Sequence, residues 1–238
     1  MKIIIGIILA IGLLLFYLNK KKTNSSVLDL TFEKPKRLYS INDGNQIELI
    51  ISADATKEWQ DSTKSKYDWS KFDEYDNLLW EYMYELFDKP IEKQVNVDYW
   101  TLWNKLTREQ KVFWAFLAFS GDTDNGGVNQ FIFNKPEFII AVAEMWNELG
   151  LEKIASDYES FLNELSGKTG KLNEVKDHLT LDSDIWKKIV SPFSNEKMEL
   201  KTAMKIEDYF YDKEFRRKVY KKVVDYIDNN IDKFTTIK

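Results

Sequence analysis

The chain has 238 residues, 39 acidic and 34 basic side chains, a net charge of −5 and no cysteine. This excludes a disulfide framework, a thiolate nucleophile and any Cys-ligated zinc or iron–sulfur site, and a field of this sign disfavours direct binding of DNA or RNA. Aromatic residues make up 15% of the chain, far more than a disordered solvating tail carries, so a folded core is expected.

Residues 3–18 are an uninterrupted apolar run, about 24 Å long as a helix and workable as a membrane span with Lys2 and Lys20 snorkelling at its ends. No small-x-small cleavage site follows it, which favours an uncleaved anchor over a signal peptide. The basic residues after the run, Lys20 to Lys22, Lys34, Lys36 and Arg37, predict a cytoplasm-facing domain on a single-pass protein of the bacterial inner membrane. The expected organisation is an anchor at 1–22, a tether with a candidate β-hairpin at 23–53, and one helical acidic domain at 54–238. The hairpin is suggested by Leu38 to Ile41 and Gln46 to Ser52 on either side of Asn42-Asp43-Gly44-Asn45, a turn signal.

Everything beyond reads mainly α, as a multi-helix domain. A helix is predicted from Ser70, which has capping-box spacing with Asp73, to Lys89-Pro90, with Phe72, Tyr75, Leu79, Tyr82, Met83 and Leu86 on one face. Thr107 and Gln110 repeat the capping signature before Val112, Phe113, Phe116, Leu117 and Phe119, and Gly126-Gly127 breaks that helix in a turn expected to pack inside the domain. A short helical piece with Gln130 and Asn134 follows. Pro136 then opens a helix through Leu149 that Gly150 closes, and another covers Leu151 to Leu165. Residues 166–182 read as a loop, Asp184 to Val190 as a short helix, Met198 to Tyr211 as a weaker one, and Lys213 to Asn230 as the last.

The chemistry-bearing candidates are few. Residues 54–98 hold 12 acids and 6 bases, whereas 212–238 hold 5 acids and 8 bases, so the acidic potential sits early in the chain. On the predicted 70–88 helix, Glu74, Glu81, Glu85 and Asp88 fall within about 60° of one another opposite the apolar stripe, a row of carboxylates suited to binding a basic partner. Asp122-Thr-Asp124-Asn-Gly126 lacks calcium-loop ligands at its fifth and twelfth positions, so no metal is expected there. His178, the only histidine, reads as a solvent-exposed loop residue. The basic segment Arg216, Arg217, Lys218, Lys221 and Lys222 reads as a solvated face. No nucleotide, phosphate-loop or nucleophile-elbow fingerprint is present, and no cofactor is expected.

Leu106-Thr107, then Asp122 three residues before Asn125-Gly126-Gly127, then Gln130, Phe131 and Asn134 form a connected pattern, followed by Ala141, Ala143, Leu149-Gly150 and Phe161. With Asp208-Tyr209-Phe210-Tyr211 and Tyr226-Ile227-Asp228-Asn229, it resembles the bacterial DNA-mimic protein family over Leu106 to Asn230. The chain departs from the family pattern in having Asp122 where Glu is commoner and Val128 where an aromatic is commoner. The resemblance implies a helical, non-enzymatic protein whose acidic surface stands in for DNA phosphates on a basic, DNA-binding-type protein. On physical grounds Asp122, Asn125, Gly126, Gly127, Gln130 and Asn134 read as architecture, two glycines allowing a sharp turn and the amides bonding exposed helix ends. Two other readings stay open: an enzyme with a carboxylate site in a helical cleft, which a pocket with two facing acids would favour, and an immunity or scaffolding protein binding through an aromatic patch.

Overall fold

The structure is a computed structural model that describes residues 35–45, 47–68, 70–94, 96–181, 186 and 200–236. The apolar run at 3–18 and most of the predicted short helix at 184–190 lie outside the described residues. Among the described residues no helix is long and apolar enough to cross a membrane. No strand occurs among them either. The sole bridge there joins Ala53 to Thr235 in parallel.

The candidate hairpin is therefore corrected. Asp43–Asn45 is a 3-10 turn, and the polar groups around it are spent on the helical body instead of on a facing strand. Tyr39 donates its N–H to the Glu137 carbonyl, Ile41 donates to the Glu144 carboxylate at 2.8 Å, and the Gln110 side chain donates to the Ile51 carbonyl at 2.6 Å. Ile47 and Ile50 stay exposed while Ile51 alone among these isoleucines is buried, so the second run does not bury the alternating face of a paired strand. The segment acts as a strap over the helices, with Tyr39 stacked on Trp103 at 5.0 Å and Lys111, itself buried, donating to the Asp43 carbonyl.

Ten helices follow in chain order among the described residues. Helix α1, Lys57–Ser65, is capped by Thr56, whose side chain accepts from the Trp59 N–H. Helix α2, Phe72–Tyr82, passes through a π turn, Met83–Asp88, into α3, Lys89–Glu92. The predicted start at Ser70 and stop at Pro90 are both shifted. Ser70 donates to the Asp68 carboxylate at 2.7 Å instead of capping the helix. Pro90 lies inside the continuous helical run, because the π turn widens the backbone just before it: the Lys89 N–H reaches Tyr84, five residues back. An α-helix would press the proline ring on the carbonyl four residues earlier and lose that hydrogen bond.

Helix α4, Tyr99–Lys105, is capped by Asp98. Helix α5, Arg108–Asn134, starts with the predicted Thr107 and Gln110 capping box fully formed and runs on across a kink at Gly126 and Gly127. A 3-10 turn, Pro136–Phe138, leads into α6, Ile139–Glu148, then α7, Glu152–Ser166, which ends on left-handed Gly167. The predicted loop at 166–182 is corrected in part, since Leu172–Leu181 is helix α8 with Val175 and Leu179 buried on one side. The apolar spacing of four residues there is enough to seat one helical face. His178 is thus a half-buried helix residue and not a loop one. Helices α9, Lys201–Tyr211, and α10, Lys213–Asn229, close the body, joined by Asp212, which caps α10.

The core gathers around Phe119 of α5. The rings of Phe131, Trp146 and Phe210 each lie 5.3 Å from it and near-perpendicular, with Tyr158 at 6.0 Å. Edge-to-face pairs of this kind add about 0.5–1.5 kcal/mol each beyond area burial, so α6, α7, α9 and the second half of α5 itself are tied to one residue of its first half.

Candidate functional site

Helices α2 and α5 position both groups of predicted site residues. On α2 the buried side is Tyr75, Leu78, Leu79 and Tyr82. At 100° per residue, Glu74 and Glu81 then lean to one flank of that stripe, and Asp73, Asp76 and Trp80 to the other. All four carboxylates predicted for the row are half-buried, and three of them are engaged. Glu81 pairs with Lys66 at 3.1 Å and accepts from the Tyr67 hydroxyl. Glu85 pairs with Lys89 at 2.6 Å, and Glu74 accepts from the Asp68 N–H at 3.4 Å. The π turn rotates positions after it away from the line a straight helix would give, and Asp88 is raised above the ordinary carboxylate range by burial and by neighbouring Glu92. The strip is therefore partly neutralised along its length. Asp73, Asp88 and Glu92 carry no ion pair among the described residues.

The Asn-Gly-Gly pattern organises the α5 kink. The turn sits at the surface, with Asn125 and Gly126 exposed and Gly127 buried, not packed inside the domain. Asp122 accepts from the Asn134 amide at 2.6 Å and from Gln130 at 3.4 Å, clipping the two halves of α5 together. Asn125 donates to the Gly121 carbonyl at 2.7 Å. Gly127 has φ +80°, and the Val128 N–H that the kink frees donates to Glu207 of α9 at 2.7 Å. Tyr211 adds a second clamp by donating to the Thr123 carbonyl at 2.7 Å. Glu207 was invisible to sequence reasoning, because nothing local marks an acid on one helix as the cap of a break in another.

Sequence reasoning also missed a pocket. Between α2 and α5, a recess of about 100 Å³ is walled by Leu79, Trp80, Phe116 and Leu117, with Asp76 and Asp124 at one end. Arg216 of α10 pairs with Asp124 at 2.9 Å and donates to the Tyr220 hydroxyl at 2.6 Å. Burial raises both acids, and Asp76 raises Asp124 further while Arg216 opposes the shift in each. The only sequence signal was Asp76 one helical turn before Trp80, an exposed pairing that resembles any solvated face. No group of three or more His, Asp or Glu is close enough to hold a metal among the described residues.

Glu137 and Glu144 are raised by burial as well, Glu144 despite the hydrogen bonds of Ser40 and Ile41. A carboxyl whose folded pKa exceeds its unfolded value binds protons preferentially in the native state. Its contribution to stability is therefore complete below the unfolded value and is lost as pH rises through the folded one. With Asp76, Asp88, Asp124, Glu137 and Glu144 all raised above their ordinary values by burial, the melting temperature should rise as pH is lowered from neutrality into the range where these groups take up protons. Further acidification should reverse the gain as Glu164, held low by the Thr202 hydroxyl and the Thr202 and Lys201 N–H groups, becomes protonated. Thermal melts across this range test the sign, and a melting temperature that falls as pH is first lowered from neutrality would contradict it.

No curated protein and no solved structure matches the chain. The family model described as DMP19-like protein matches residues 104–230, a stretch that begins in α4, spans the α5 kink with its Asp122, Glu207 and Tyr211 clamps, and ends just past α10. With more than half of its length matched, the chain belongs to the DMP19-like protein family.

Proposed function

We propose that this protein binds a basic protein through its acidic helical surface, occupying a site that would otherwise contact DNA. The observation that carries this reading is the charge of α2 and its continuation: residues 72–92 hold seven carboxylates and one basic side chain, Lys89. Beside them stand Trp80 and Tyr84, 59% and 52% exposed, large side chains of the kind that anchor protein interfaces. A field of this sign steers a cationic surface towards the helix and repels nucleic acid itself. Family membership supports the same role, as a DNA mimic acting without catalysis.

The two acids of the α2–α5 pocket are the feature that would favour an enzyme. However, Asp124 is occupied by Arg216 and Tyr220, so a free acid–base pair is not assembled there. The apolar run at 3–18 supports, within the same proposal, attachment to a membrane with the helical domain on the cytoplasmic side. One experiment tests both points: affinity capture from cytosol and from detergent-solubilised membranes, using the intact chain and a chain lacking residues 1–22, with and without competing duplex DNA. Capture of a basic protein that duplex DNA displaces is the expected result, with the intact chain alone recovered in the membrane fraction. Capture insensitive to DNA would overturn the mimic reading, and equal fractionation of the two chains would overturn the anchor.

A further inference from the structure

The charge of α2 explains attraction to a basic partner but fixes no register, since a strip of carboxylates is similar at every turn. We propose that the recess between α2 and α5 supplies that register by seating one lysine or arginine side chain of the partner, its stem along Trp80 and Leu117 and its cationic head at Asp76, beside the Asp124–Arg216 pair. This rests on the protein-binding reading above and names its anchor point.

Three observations lead to this occupant. The first is charge. Asp76 and Asp124 face one guanidinium, Arg216, which is directed at Asp124 and Tyr220. Asp76 has no ion pair among the described residues. One negative charge thus remains uncompensated in a largely apolar recess, where a second cation gains more than it would in water. The second is the wall. Trp80 is 59% exposed and Leu117 half-buried, an apolar surface that a methylene stem would cover while its head reaches Asp76, one helical turn from Trp80. An aromatic face beside the path also favours a cation over a neutral polar group. The third is Gly121, which lines the recess in the interior of α5. A Cβ built there meets nothing within 4 Å, so no neighbour requires a glycine, and glycine weakens a helix interior. What the missing side chain preserves is the opening itself.

The test uses the full chain and three short peptides, acetyl-Gly-X-Gly-amide with X as arginine, lysine or citrulline, the last matching arginine in shape without its charge. Binding is read from the Trp80 indole N–H resonance, identified by its loss in Trp80→Phe. The arginine and lysine peptides should shift that signal saturably, and citrulline should bind at least fivefold more weakly. Asp76→Asn should weaken the cationic peptides at least fivefold. Gly121→Leu, which fills open space and is expected to keep the melting temperature, should abolish the response. Absence of saturable binding by any peptide, equal binding of citrulline, or an undiminished response in Gly121→Leu would each overturn the anchor. If the peptides bind as expected but DNA does not displace the captured partner, the mimic reading alone fails. If DNA-sensitive capture survives Gly121→Leu and no peptide binds, the anchor alone fails.

Discussion

Replacing Gly127 with alanine is expected to destabilise the fold by about 2–5 kcal/mol, the largest effect of any single change in the α5 kink. Gly127 sits at φ +80° and ψ −178°, a region essentially closed to residues with a Cβ, at a cost of about 1–3 kcal/mol. An added Cβ would also lie 2.3 Å from Glu207 Oε1. That side chain can swing away only by releasing the Val128 N–H at the buried start of the second half of α5, and a buried donor left without a partner costs about 1–3 kcal/mol. Gly126 provides the contrast. Its φ of −162° lies outside the left-handed region, and the atom a Cβ would meet is Gln130 Oε1, the end of a side chain held only by a long 3.4 Å hydrogen bond to Asp122. Gly126→Ala should therefore cost under about 1 kcal/mol. Glu207→Gln, which keeps an acceptor for Val128, should fall between the two. Urea unfolding of the three variants measures the order, and Gly127→Ala within about 0.5 kcal/mol of the parent would refute this account of the kink.

The kink marks where sequence reading succeeds and where it stops. Thr107 and Gln110, Gly150, Gly167 and the apolar spacing of α6, α7 and α10 each declare themselves within four residues, because caps and helical faces are local physics. The break at Asn125-Gly126-Gly127 is equally local. Its clamps, Glu207 and Tyr211, reach Val128 and Thr123 from 79 and 88 residues away in the chain, and no short-range pattern encodes such a meeting. The hairpin expectation failed for the same reason: Asn42-Asp43-Gly44-Asn45 does turn, but Trp103, Lys111, Gln110 and Glu144 claim the surrounding polar groups first. The helix that was expected to stop at Pro90 shows a local rule overridden locally, a π turn absorbing the proline. For the candidate site, the acidity of α2 was legible and its partners were not. Lys66 and Tyr67 arrive from the chain between α1 and α2, and Arg216 from α10, so which carboxylates stay unpaired is a tertiary fact. Asp76 and Asp124, 48 residues apart in the numbering, meet in a pocket that neither helix announces alone.

Changing Glu74, Glu81, Glu85 and Asp88 together to Gln or Asn is expected to slow association with a basic partner about tenfold or more at low salt, with a smaller effect on dissociation. The four changes take residues 72–92 from a net charge of −6 to −2, and they release Lys66 and Lys89 from their partners. The fold should tolerate this. Exposed or half-exposed ion pairs are worth about 0–1 kcal/mol, and an amide still accepts the hydrogen bond of Tyr67 or the Asp68 N–H. Because Glu81 and Glu85 are already paired at 3.1 and 2.6 Å, each should contribute less to steering than a carboxylate without an ion pair. Asp73→Asn with Glu92→Gln removes two such charges, and should therefore slow association more per charge lost than the quadruple change does. Both differences should shrink as salt rises, since exposed charges beyond the screening length of about 8 Å at physiological ionic strength cease to act. Stopped-flow association against the captured partner at two or more salt concentrations separates the cases. A quadruple variant with unchanged rate and salt slope would remove this face of α2 from the binding surface, while a loss independent of salt would assign these side chains to direct contact instead of steering.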